Sequence, residues 1–253
     1  MKKLRLDQAL VNRGQVQSRS QAESYIKLGR VKLSGQVVTK PGHPVGQHDE
    51  IELVQKELYV SRAGLKLASA AEKFGLDFRK KIVLDVGSST GGFTDYALRH
   101  GAAKVIAVDV GTDQLHPSLR GDKRIELHEK LDVRYLTLDA RKAAANPKLQ
   151  LLSSNIDIIL IDVSFISLRE ILPAVAKMSG KKAQIVALLK PQFEAGKDDI
   201  NRGVVKNDTI RRRVLAGFET WAKKSFLVVD KADSEVAGAR GNRERFYLLK
   251  SNL

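Results

Sequence analysis

Four charged residues are spaced so that one α/β sheet would bring them to a single rim: Lys66, Asp162, Lys190 and Glu244. Lys66 lies in Ser61-Arg62-Ala63-Gly64-Leu65-Lys66-Leu67, near the start of an expected helix. Asp162 closes the apolar run Ile156-Asp157-Ile158-Ile159-Leu160-Ile161, and Lys190 closes Ile185-Val186-Ala187-Leu188-Leu189 before Pro191. Glu244 opens the last strand, expected at Phe246–Leu249; if that strand is antiparallel, its start shares a rim with the carboxyl ends of the others. Such a set suits removal of a proton from a poorly acidic hydroxyl. A lysine beside a second lysine gives up its proton more readily and can serve as general base, while the acids orient the pair. Each residue alone has an ordinary alternative: a solvated strand end for Lys190, a loop salt bridge for Glu244. Their joint placement favours chemistry.

A second signal is the loop Asp85-Val86-Gly87-Ser88-Ser89-Thr90-Gly91-Gly92-Phe93-Thr94-Asp95, which follows a strand and opens a helix. Glycine there permits a tight turn and close backbone approach to a small molecule. Asp109 ends the next strand at the spacing expected of a carboxylate that grips ribose hydroxyls. Dinucleotide enzymes share this layout, so the loop leaves NAD open. An acid at position 85 would hold the ammonium of a methionine moiety and repel a pyrophosphate, which favours S-adenosylmethionine. The cofactor set is then Asp85, Gly87, Ser88, Gly91, Gly92, Phe93, Asp109 and Asp162, with Asp132 and Val133 either lining an adenine pocket or lying on an exposed loop.

The elements that must position these residues alternate. Strands are expected at Ile82–Val86, Val105–Val110, Ile125–His128, Ile156–Asp162, Ile185–Leu189, Phe226–Val229 and Phe246–Leu249, with helices at Phe93–Arg99, Ile166–Met178 and Asp208–Lys223. This predicts an α/β fold, a mostly parallel sheet covered on both faces by helices, with its ligand at the carboxyl ends of the strands. Residues 1–57 read differently, as two helices followed by short strands. Leu6, Ala9, Leu10 and Val11 form a helical stripe, Ser18 or Ser20 caps a second helix with Ala22, Tyr25 and Ile26, and Gly29 stops it. Val31-Lys32-Leu33 and Gln36-Val37-Val38 flank a Ser34-Gly35 turn, and Ile51-Glu52-Leu53 is a last strand. A small domain at 1–57 and a large one at 62–253 are therefore expected, with limited motion across a connection poor in Gly, Ser and Pro.

Composition narrows the function classes. The net charge of the 253 residues is +15, split as +4 in residues 1–57 and +11 beyond, which favours a polyanionic partner met by both parts. With no cysteine, disulfides, thiolate metal sites and cysteine nucleophiles are excluded, and a cytoplasmic location fits. The five histidines lack ligand spacing, so no metal is assigned. No apolar run approaches the roughly 18 residues of a membrane span, and no secretory signal opens the chain.

The pattern Arg5-Leu6-Asp7, Ser18-Arg19-Ser20-Gln21-Ala22, Gly29-Arg30-Val31, Ser34-Gly35 and Asp49-Glu50-Ile51 resembles the RNA-binding domain named after ribosomal protein S-four. The resemblance implies phosphate contacts from Arg5, Arg19, Lys27, Arg30 and Lys32; a charged solvated face is the plainer reading of the same residues. The large domain resembles the FtsJ-type ribose methyltransferases, whose Lys-Asp-Lys-Glu set matches Lys66, Asp162, Lys190 and Glu244. The whole chain, including Asp162-Val163-Ser164-Phe165-Ile166-Ser167-Leu168 and Lys190-Pro191-Gln192-Phe193-Glu194-Ala195-Gly196, is similar to the TlyA family. That resemblance implies a Rossmann-like seven-stranded sheet with its last strand antiparallel. It also implies S-adenosylmethionine-dependent 2′-O-methylation of cytidine in ribosomal RNA, on ribosomal subunits. Asp132 stands where the family pattern has an amide, and Arg245 where it has a hydrophobic residue. Two other readings remain: a membrane-acting hemolysin, a label that family also bears, and a non-catalytic RNA-binding or ribosome-assembly factor. Nothing in the sequence specifies an oligomeric state.

Overall fold

The computed structural model describes residues 4–16, 19–27, 29–54, 59–135, 156–180 and 182–252. In the small domain, β1 (Leu4–Arg5) leads directly into α1 (Leu6–Asn12), followed by α2 (Arg19–Lys27). Strands β2 (Val31–Leu33), β3 (Gln36–Val37), β4 (Pro44–Val45) and β5 (Ile51–Leu53) follow. They form a three-stranded sheet of order β3-β2-β5 and a separate β1-β4 pair. Leu6, Leu10, Ala22 and Ile26 are fully or almost fully buried between the helices and Val31. The Ser34-Gly35 hairpin forms as expected, whereas β1 and β4 are too short to leave a period in the sequence. Of the two candidate caps of α2, Ser18 lies outside the described residues and Ser20 falls inside the helix.

The large domain opens with α3 (Arg62–Phe74), ended by Gly75 in the left-handed region at φ 61°. Then come β6 (Ile82–Val86), α4 (Gly92–Arg99), β7 (Lys104–Val108), β8 (Ile125–His128), β9 (Ile158–Ile161), α5 (Leu168–Met178), β10 (Gln184–Leu189) and α6 (Pro191–Glu194). A two-residue ribbon, β11 (Ile200–Asn201) and β12 (Val204–Val205), precedes α7 (Asp208–Ala222), β13 (Phe226–Asp233) and β14 (Arg245–Ser251). The seven-stranded sheet has the order β13-β14-β10-β9-β6-β7-β8. It is parallel from β8 to β10, and β14 is inserted antiparallel to both of its neighbours. The expected architecture forms. The strand bounds shift by a residue or two, and β13 runs on to Asp233 past an irregularity at Val228/Asp230.

Side-chain alternation sorts the core into two layers. Val83, Val105, Ile158, Leu160, Val186, Leu188, Phe246 and Leu248 pack under α3 and α4. Leu84, Ile106, Ile159, Ile161, Ile185, Ala187, Tyr247 and Leu249 pack under α5 and α7. The first layer continues without a break through Leu65 and Tyr59 to Tyr25 and Ile26 of α2, so the small domain shares its core with the large one.

The join between α3 and α4 is especially tight at Gly92. A methyl group there would overlap Ser61 Oγ and sit 2.8 Å from Ala63 Cβ and 2.9 Å from Gly64 N. Gly92→Ala is expected to lower the unfolding free energy by about 1–3 kcal/mol through overpacking. A urea midpoint that falls at unchanged slope would show this; a wild-type midpoint would mean that the two helices can part freely.

Candidate active site

Alternation also decides where the charged residues go. Asp85, Asp162, Lys190 and Glu244 each share the parity of the residues beneath α3 and α4, one or two positions outward along their strands. Because β14 is antiparallel to β10, with Leu189 opposite Arg245, the positions just beyond these partners are Lys190 and Glu244. All therefore stand at the carboxyl rim of the sheet, over which α3 places Lys66.

Contacts divide the four expected residues into two ion pairs. Lys66 Nζ donates to Glu244 Oε2 at 2.6 Å, with the side chains 10% and 1% exposed. Lys190 Nζ lies 2.7 Å from Asp162 Oδ1 and donates to Ser164 Oγ at 2.8 Å. The sequence reading set lysine against lysine; the structure sets each lysine against a carboxylate, because the parities of β9, β10 and β14 interleave the signs. Gly238 lets its loop close over Glu244, since a Cβ there would overlap the carboxylate.

The glycine loop borders a cleft of about 510 Å³ lined by Gly87, Asp109, Asp132, Val133 and Asp162 among the expected residues, and by Leu131, Ile166 and Ile171 as apolar walls. Asp85, Ser88, Gly91, Gly92 and Phe93 do not line it. Phe93 is core, 6.2 Å from the Phe246 ring. Gly91 and Gly92 face their own chain: a Cβ at Gly91 would lie 2.6 Å from Leu115 and Leu119. Of the three loop glycines, Gly87 alone combines a left-handed backbone, φ 81°, with a place on the cleft, where its back meets the Asp162 carbonyl. Asp109 accepts from Ser89 N at 2.8 Å and from Gly111 N at 2.7 Å, tying its loop to the glycine loop. Asp132 is clasped by Arg134, at 2.7 Å to Nη2, and that hydrogen bond chiefly holds its carboxyl below the ordinary range.

Two polar atoms at this loop are buried without a partner, Asp85 Oδ1 and Ser88 Oγ. The other Asp85 oxygen accepts from Thr94 Oγ1 at 2.7 Å. Burial, assisted by the negative charge of Asp162, pushes Asp85 up to about 7 against the Thr94 hydrogen bond.

Sequence reasoning missed Glu194. Its side chain is 2% exposed, and it accepts from Ser167 Oγ at 2.7 Å and from Leu168 N at 2.6 Å, with Arg169 Nε at 3.5 Å. Burial raises its pKa, opposed by the Ser167 and Leu168 hydrogen bonds. The segment after Lys190 is thereby clamped to the segment after Asp162. Phe165 reinforces the clamp with its ring 5.2 Å from that of Phe193, yet it is 91% exposed at the cleft and has φ 65°. A left-handed backbone under an exposed aromatic is unusual and makes Phe165 a candidate functional position. The only signal in the sequence was the length of the two motifs.

The residues expected to face RNA separate as well. Arg5 grips Asp7 through two bonds of 3.0 Å and Arg19 reaches the same carboxylate at 2.9 Å, with Asp7 itself fully buried. Burial works to raise Asp7, but the two guanidinium bonds prevail and hold it below its ordinary value. Lys32 lies 3.7 Å from Glu52, and Lys27 and Arg30 are exposed.

Residues 59–251 match the model of the FtsJ-like methyltransferase family, and residues 4–51 match that of the S4 domain. Over 95% of its length the chain is 39% identical to hemolysin A of Brachyspira hyodysenteriae, covering 97% of that protein. Over 99% of its length it is 37% identical to the 16S/23S rRNA (cytidine-2′-O)-methyltransferase TlyA of Mycobacterium tuberculosis, covering 91% of it. A solved structure from Streptococcus thermophilus, described as that of a hemolysin, matches with a TM-score of 0.70 at 38% identity, over 99% of this chain and 89% of that one.

Two outcomes follow from the site. An aspartate raised from 3.8 to about 7 costs the fold nothing well below pH 3.8, where both states are protonated, and progressively more as pH rises towards 7. Asp85→Asn should therefore match wild type in thermal midpoint at the acid end and exceed it at pH 8, where the gain in stability is on the order of 1 kcal/mol or more. Equal midpoints at both pH values would refute the buried charge. Glu194→Ala should leave the fold intact and lower turnover by roughly 10- to 100-fold, the scale of a misplaced catalytic pair, with Glu194→Gln retaining most of it. Steady-state kinetics on both variants would show this as a fall in kcat at constant KM.

Proposed function

We propose that this chain, which belongs to the TlyA family of FtsJ-like methyltransferases, transfers the methyl group of S-adenosylmethionine to a cytidine ribose 2′-hydroxyl in ribosomal RNA. The observation behind this reading is the double ion pair, Lys66–Glu244 and Lys190–Asp162, set at the carboxyl rim beside the glycine-loop cleft. The relative in M. tuberculosis bears that activity in its name, and the small domain belongs to an RNA-binding class.

The residues present fit the methyl donor. Behind the cleft wall, Asp85 Oδ1 and Ser88 Oγ are buried polar atoms without a partner among the described residues, which leaves acceptors for a cationic amino-acid head that reaches past Gly87. Asp109 borders the cleft as an acceptor for ribose hydroxyls, and Leu131, Val133 and Ile171 give apolar walls for a purine. Asp132, committed to Arg134, serves the purine edge less directly. When bound, S-adenosylmethionine supplies an electron-poor methyl group on a sulfonium.

The protein's own task is then alignment and removal of one proton. Lys190 is assigned as the base: as a neutral amine its Nζ takes the 2′-hydroxyl proton, and the Asp162 carboxylate stabilises the ammonium so formed. Ser164 Oγ, which accepts from the same nitrogen, helps to hold it in place. Lys66, held by Glu244, places a positive charge at the same rim, where negative charge develops on the attacking oxygen. Phe165 offers an open ring face on which the target base can stack. The segment 136–155 lies outside the described residues, and no described helix is long and apolar enough to cross a membrane.

The decisive experiment is methyl transfer from labelled S-adenosylmethionine to purified ribosomal subunits, followed by nuclease mapping. Wild type should label ribose, and Lys190→Ala should lose at least about 10²- to 10³-fold, the range of a general base with its positioning, while still binding S-adenosylhomocysteine. Label on a base, or undiminished transfer in Lys190→Ala, would overturn the reading.

A further inference from the structure

We propose that the cavity at the junction of the two domains is a second RNA subsite, seating a backbone phosphate with its nucleotide away from the catalytic rim. This rests on the ribosomal RNA reading above and assigns part of that substrate a place. The cavity measures about 670 Å³, within the range of sites for small ligands. Gln21 and Tyr25 of α2 form one wall, and Ser61, Arg99, His116 and Ser118 of the catalytic domain form the other. A nucleotide lodged there touches both domains at once.

The lining suits a phosphate. Among the described residues it contains two arginines, Arg62 and Arg99, a histidine and two serines, and no carboxylate. Arg99 spends its Nε on Asp95 at 2.7 Å and stands 6.0 Å over the Tyr59 ring, with its side chain 55% exposed. Its terminal nitrogens have no partner among the described residues, and a guanidinium held this way presents a fixed fork to phosphate oxygens. His116 Nδ1 accepts from Ser118 N at 3.3 Å and lies 2.8 Å from Ser118 Oγ. Accepting at Nδ1 places the ring hydrogen on Nε2, a further donor. Ser61 is the residue before the first turn of α3, where a serine hydroxyl ordinarily caps the helix. It makes no such bond, and its buried Oγ, which lies against Gly92, has no partner among the described residues. By contrast, Arg5 and Arg19 are already bound to Asp7.

The test measures binding of full-length protein to purified ribosomal RNA across a salt series, for wild type, Ser118→Asp and Arg99→Gln. Both substitutions lie at exposed side chains, so the fold should persist. The expected result is a loss of RNA affinity of about tenfold or more in each variant. For Arg99→Gln, the slope of log affinity against log salt should also become shallower by nearly one unit. Affinity for S-adenosylhomocysteine and the thermal midpoint of Ser118→Asp should stay at wild-type values. RNA affinity unchanged in both variants would overturn the subsite while leaving the methyltransferase reading intact. If inorganic phosphate raised the melting temperature of wild type but not of Ser118→Asp, with equal RNA affinity, the cavity would hold a free anion and the proposal would fail. Failure of wild type itself to bind ribosomal RNA would overturn the function reading, and this subsite with it.

Discussion

The buried ion pair between Lys66 and Glu244 joins the first helix of the large domain to its last strand, across 178 residues of chain. Neither charge is tolerable alone at that depth. Removing one partner of such a pair typically costs about 3–5 kcal/mol, far more than an intact pair contributes. The pair is therefore less a source of stability than a demand on the rest of the fold. It requires β14 to run antiparallel between β10 and β13, so that the beginning of β14, not its end, reaches the rim. It also requires α3 to lie over that rim, which the close approach of Gly92 and Gly64 makes possible.

The other pair depends on loops as well as on the sheet. Asp162 and Lys190 each stand just past the end of a strand, where alternation still sets the face and Asp162 N still donates to Val86 O at 3.0 Å, but the segments that follow leave the ladder. Glu194 supplies what the ladder cannot, tying residues 167 and 168 to the short helix that follows Lys190. Burying that carboxylate is tolerable because three donors face it. The same clamp brings Phe165 against Phe193 while leaving most of its ring in solvent. One cross-tie thus positions both the Lys190–Asp162 pair and an aromatic surface.

Much of this was legible in the sequence because the strands are buried on both faces and read as continuous Ile, Val and Leu runs. Strand ends located Asp162 and Lys190 directly. The contacts were not legible, because which charges meet depends on parity across strands far apart in sequence. The glycines were read as making room for a ligand, but Gly91 and Gly92 make room for leucines and for α3. Arg245 looked like a departure from pattern beside Glu244. Alternation turns it to the opposite face, where it pairs with Asp233 at 2.6 Å beneath α7, so it leaves Glu244 undisturbed. Asp7 carried no sequence signal as the buried anchor of two arginines, and β1 and β4 were too short to show a period.

Charge in this protein is organised on two scales. The surplus of +15 acts at long range, where it raises the local concentration of a polyanion and loses strength with salt. At the rim the balance is different: two lysines face two carboxylates, with Asp85 behind them. A phosphate gains little from such a neutralised cluster. Under the proposed assignment, the rim therefore does not compete with the surface for the RNA backbone, and a ribose hydroxyl, uncharged and needing only orientation and one proton acceptor, suits it better. On that assignment the pairing of signs that keeps each lysine in place also fits the rim to a neutral group, with phosphate recognition left to residues elsewhere on the molecule.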